Sequence, residues 1–173
     1  MQHLLTACAL ACWLASVVAL PALAAETANP ASSIEQQFRR GEAALAQQRL
    51  AQALAQQPGD ASLRFLQGVI LSETGQGAEA ALLFERLTQD FPGLPEPYNN
   101  LAVLQAAAGE LALARGLLEA ALRLDPGYRT AQQNLGDVYV RLAQRAYEMA
   151  AGSSPEPGLQ ARLRLARELA AIR

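Results

Sequence analysis

A period of 34 residues constrains this chain more than any other feature. Gly41, Gly75 and Gly109 recur at that spacing, as do Ala46, Ala80 and Ala114, and again Pro58, Pro92 and Pro126. Between them, Leu50, Phe84 and Leu118 are all large and apolar, and Gly68, Ala102 and Gly136 are all small. Self-similarity at a fixed spacing of this length marks a stacked array, in which one supersecondary unit repeats and buries its apolar face only against its neighbours.

The residue types specify what the unit is. A glycine ends a helix at little cost because it accepts the left-handed conformation, and a proline ends one because it cannot continue the hydrogen-bond ladder. Gly75 and Gly109 therefore close a first helix, and Pro92 and Pro126 a second. Small residues at 68, 102 and 136 allow the first helix to approach its partner closely. Ala80 and Ala114 answer from the second helix, and Phe84 and Leu118 fill the space one turn on. Each helix is expected to be about 14 residues, roughly 21 Å. The expected fold is all-α, with helix pairs over 27–60, 61–94 and 95–128 and a partial fourth over 129–151.

Leu135-Gly136-Asp137-Val138-Tyr139, the pair Ala80 and Phe84, and the closing prolines resemble the tetratricopeptide repeat (TPR), with Tyr98 where that family usually carries tryptophan. The resemblance covers nearly all of the chain after residue 24, and it implies a right-handed α-solenoid of about three helix pairs plus a C-terminal capping region. The stretches 94–104 and 134–139 further resemble small exported proteobacterial repeat proteins, which implies an assembly or scaffolding role in the cell envelope.

The ends depart from the pattern. In the first repeat Pro30, Ser33 and Ile34 stand where the pattern wants other residues, so its leading helix is expected to be short, near Ser32 to Arg40, and to serve as a cap after a linker over 25–31. In the fourth repeat Ala143 replaces the turn glycine, so one long helix from Arg129 to about Ala151 is expected. The run 152–158, rich in Gly, Ser and Pro, breaks it as a linker. Over 159–173, apolar residues at 159, 163, 166 and 169 alternate with arginines, the pattern of an amphipathic helix.

Residues 1–24 differ in composition from the rest. An uncharged run from Leu4 to Leu20 ends at Pro21 and is followed by Ala22-Leu23-Ala24, the small-x-small pattern of a secretory signal peptide, so cleavage after Ala24 and a periplasmic location are expected. The segment before the apolar run lacks Lys and Arg, which keeps an uncleaved inner-membrane anchor as the alternative. Cys8 and Cys12 both lie within it, so a cleaved chain would hold neither thiol nor disulfide.

Chemistry is poorly provided for. General-base, thiol, Schiff-base and metal catalysis draw mostly on His, Cys and Lys, and beyond residue 24 there are none of the three. The carboxylates are scattered, without calcium-loop spacing, and there is no glycine-rich phosphate loop. No enzyme, cofactor or metal site is expected. With 14 basic residues, all arginine, against 16 acidic ones, nothing draws the chain to nucleic acid.

A binding face remains. In such a solenoid the first helices line a concave groove, and the family places ligand contacts at the second, fifth, ninth, twelfth and thirteenth positions of each repeat. Carried onto this chain, these positions give Ser62, Phe65, Val69, Ser72 and Glu73; then Glu96, Asn99, Val103, Ala106 and Ala107; then Thr130, Gln133, Asp137, Val140 and Arg141. From these, Phe65, Val69, Asn99, Val103, Gln133, Asp137 and Arg141 are the expected contacts to a protein or peptide ligand lying across three successive first helices. The carboxylate clamp that some members form does not fit, because Asn100 and Asn134 have no basic partners at Phe65, Val69 and Thr130.

Overall fold

In the computed structural model, described over residues 29–152 and 156–172, eight helices follow one another: α1 Pro30–Arg39, α2 Ala43–Gln56, α3 Ala61–Glu73, α4 Gly77–Asp90, α5 Pro95–Ala107, α6 Leu111–Leu124, α7 Arg129–Ala151 and α8 Pro157–Ala171. The expected signal segment, most of the linker over 25–31 and part of that over 152–158 lie outside the described residues. Consecutive helices pack as four hairpins, α4 lies against α5 and α6 against α7, and among the first helices α1 touches α3 and α5 touches α7. The architecture is an all-α, TPR-like solenoid.

The turns repeat because the glycines do. Gly41, Gly75 and Gly109 have φ of 86°, 83° and 88°, the left-handed region where a Cβ is costly. The residue after each glycine then donates its N–H back to the helix: Glu42 to the Gln37 carbonyl at 3.1 Å, Gln76 to Leu71 at 2.8 Å and Glu110 to Gln105 at 2.9 Å. One chemical device thus reverses the chain three times with nearly the same geometry. Helix starts vary more. Asp60 caps α3 by accepting the Leu63 N–H at 2.8 Å, Asn29 caps α1, and prolines open α1, α5 and α8.

The apolar interior falls into three clusters. Ala31, Ile34, Ala46, Leu50, Leu63, Leu66 and Ile70 join the first three helices. Ala80, Phe84, Leu87 and Leu101 join α4 to α5, with Phe65 and Val69 of α3 leaning on them. Ala102, Leu111, Ala114, Leu118, Ala121, Ala131 and Val138 join α5, α6 and α7. The alanine and large-apolar series therefore sit at the helix crossings, as the register requires. The closest approach is at Gly68, where an added Cβ would lie 2.6 Å from the Phe84 ring, so the ring rests directly on the α3 backbone. A polar tie fixes the same hairpin, Arg64 of α3 pairing with Asp90 of α4 at 2.6 Å and lying 5.6 Å from the Phe91 ring centroid, and another joins it to the next, the Tyr98 hydroxyl of α5 donating to the Thr88 carbonyl of α4 at 3.3 Å.

The structure corrects the expectations at the ends. α1 begins two residues earlier than Ser32, with Pro30 at its first position, and it buries Ala31 and Ile34 in the first cluster. α8 likewise begins at Pro157 rather than after 158. Gly136, expected to admit a close partner helix, has nothing within 4 Å of the place its Cβ would take. The cause is the missing turn glycine. α7 runs unbroken for 23 residues, so its partner α8 packs on the later half, where Arg167 pairs with Glu148 at 3.1 Å. Hydrogen bonds from Gln144 and then Arg167 hold the Glu148 carboxyl below its ordinary value.

Candidate functional site

The concave face presents two hollows rather than one continuous strip. The first, of about 380 Å³, is walled by three successive first helices, with Glu35 from α1, Phe65, Leu66 and Val69 from α3, and Glu96 and Pro97 from the start of α5. Its floor is apolar because Phe65 and Val69 are shared with the core beneath: the Phe65 ring stands 5.6 Å from Phe84 at an interplanar angle of 52°. The second, of about 210 Å³, lies between α5 and α7 and includes Val103, Asp137 and Arg141.

Of the seven expected contact residues, Phe65 and Val69 thus line the first hollow and Val103, Asp137 and Arg141 the second. Val103 is 46% exposed, a large apolar side chain left to solvent. Gln133 is exposed but lines neither. Asn99 is a correction. It is 5% exposed, and its Oδ1 accepts a 2.8 Å hydrogen bond from Asn134 Nδ2, so it joins α5 to α7 and is closed to a ligand. A buried amide needs such a partner, and Asn134 supplies it from the equivalent helix of the next repeat. Arg141 is also engaged at home: its Nη1 donates to the Ala106 carbonyl at 2.8 Å, satisfying an acceptor in the last turn of α5. The Asn99 and Arg141 bonds tie α5 to α7 beside the second hollow.

The family register, extended back one repeat, finds what sequence reasoning missed. Glu35 stands 34 residues before Val69 and occupies the same ninth position, although the irregular sequence of the first repeat points only to a cap. Arg39 Nε and Nη2 both bond Glu35 Oε1, at 3.0 and 2.6 Å, and the hydrogen bond and charge of Glu35 raise the guanidinium further above its already high ordinary value. Across the hollow Glu96 sits in the first turn of α5, where the helix N-terminus favours a negative charge, and it has no ion-pair partner among the described residues. Its charge acts on Tyr128, whose hydroxyl is raised by burial first and by Glu96 and Asp125 after it.

Among the described residues no group of His, Cys, Asp and Glu could hold a metal ion. No helix there is long and apolar enough to cross a membrane.

No protein-family model matches this sequence, and neither does any curated protein. Solved structures do match, and they define the class as the TPR fold. The first TPR of Spaghetti (RPAP3), bound to an HSP90 peptide, superposes with a TM-score of 0.60 at 17% identity, covering 66% of this chain and 90% of that one. TTC0263, a thermophilic TPR protein of Thermus thermophilus, gives 0.59 at 19% identity over 81% of this chain and 80% of its own. A MamA mutant gives 0.54 at 19% identity over 80% and 84%.

Proposed function

We propose that this protein is a non-catalytic interaction scaffold that binds a protein segment in its concave face, and that it works in the cell envelope. The observation that carries the binding reading is the first hollow. It joins three repeats, it is floored by Phe65, Leu66 and Val69, and it lies at the lower end of the range of about 300–1,000 Å³ seen for ligand pockets. Open across three helices, a hollow of that size admits one or two side chains of a longer segment lying over it. The fold it shares with the peptide-bound TPR of Spaghetti supports a protein partner of the same general kind.

Panning the protein against a displayed library of random 12-residue peptides tests this. Ser62 is exposed at the rim of the first hollow, so Ser62→Tyr should obstruct it without disturbing the core. Selected peptides should lose at least about tenfold in affinity for that variant, as hot-spot sites do, and none for Arg123→Ala on the opposite side. Loss with Arg123→Ala alone would move the binding surface elsewhere.

The envelope assignment rests on residues 1–24 and on the resemblance of 94–104 and 134–139 to small exported repeat proteins. A periplasmic protein should begin at Ala25 on N-terminal sequencing and wash free of membranes. A chain that retains its first residues and pellets with the membrane would instead support an anchored structural subunit.

A further inference from the structure

We infer that the first hollow selects a cationic segment, in which an apolar side chain is flanked by arginine or lysine; this rests on the scaffold reading above. The lining contains two charged side chains, Glu35 and Glu96, and both are carboxylates. No basic residue faces them from α1, α3 or α5 within the lining. The nearest cation, Arg39, spends both of its bonds on one oxygen of Glu35, Oε1, which leaves Oε2 to accept from a ligand. Glu96 has no ion-pair partner among the described residues to displace.

The apolar floor decides the rest of the chemistry. A segment that only carried positive charge would leave the half-buried Phe65 and Val69 uncovered, while a purely apolar one would cover the Glu96 carboxylate and the Oε2 of Glu35 without giving either a partner, which is costly. A leucine or phenylalanine side chain on the floor, with a guanidinium or ammonium one turn or two residues away, satisfies both. Phe65 adds a ring face to which a guanidinium is attracted. A segment of net negative charge is disfavoured by the same carboxylates, which weighs against peptides such as SRMEEVD, held by the Spaghetti repeat, whose acidic residues outnumber its single arginine.

The test uses the peptide library with a second variant, Glu35→Gln combined with Glu96→Gln, checked for an unchanged helical spectrum. Selected peptides should be enriched in Arg and Lys adjacent to large apolar residues. Their affinity should fall about two- to thirty-fold on the double substitution, the sum of two partly exposed ion pairs, and should weaken with added salt. Peptides that are neutral or acidic yet blocked by Ser62→Tyr would overturn the charge selection and leave the scaffold reading intact. Basic peptides that bind the double variant as well as the parent would overturn it equally. If no peptide of any charge is blocked by Ser62→Tyr, the groove reading fails and this inference fails with it.

Discussion

Phe84→Ala is expected to lower the stability of the solenoid by about 3–5 kcal/mol, the range for a fully buried phenylalanine cut back to alanine. Phe84 has no exposed surface, its ring lies on the Gly68 backbone and against Phe65, and it anchors the cluster that joins α4 to α5. The void cannot close easily. Its neighbours Leu87 and Leu101 are held by helices whose turns are set by Gly75 and Gly109. Since each repeat touches only its neighbours, the loss should reach both sides of the array. Urea denaturation followed by helical circular dichroism gives the value, and a loss below about 1 kcal/mol would mean that the ring is not in the interior as described.

Enlarging the crossing alanines gives the second large effect. Ala80 and Ala114 have no exposed surface and belong to different clusters, so Ala80→Leu and Ala114→Leu should each cost about 1–3 kcal/mol through overpacking. The double variant should lose roughly the sum, because the sites lie in different clusters that meet only through Leu117 at their edges. Gly136→Ala is the control of opposite sign. It is helical, faces open space, and should gain about 0.4–1 kcal/mol by restricting the unfolded chain. If the alanine variants melt like the parent, or Gly136→Ala melts lower, the register relating the repeats is in error.

The repeat was legible in the sequence because it depends on local, single-residue requirements. Gly41, Gly75 and Gly109 must be left-handed, Pro92 and Pro126 must lie beyond a helix, and Ala80 with Phe84 must face a crossing, so spacing alone reveals them. The site was less legible. Family position marks which side chains point toward the groove, but it does not say which of them the solenoid takes for its own ties. Asn99 and Arg141 occupy ligand positions and are spent on Asn134 and on the Ala106 carbonyl. Those bonds join residues 35 apart, one repeat plus one, and no spacing rule distinguishes them from contacts left free. Glu35 is hidden for the opposite reason: its position is readable, but Pro30, Ser33 and Ile34 break the repeat pattern around it. Gly136 shows a third limit, since its role depends on where α8 lands, and that is settled by the absence of a glycine at 143.

Dividing the apolar interior among three clusters also determines how the chain comes apart. A globular domain of this length opens as one unit, because losing any part exposes the whole core. Here, among the described residues, the outermost hairpins each have a neighbour on one side only, so they are expected to fray while the α3 to α6 block stays folded. Protection of backbone amides from solvent exchange should therefore rise from both ends toward the middle hairpins. The first hollow spans that gradient, with α1 at the fraying edge and α3 and α5 in the protected centre, so a bound segment would hold shut an end that otherwise opens.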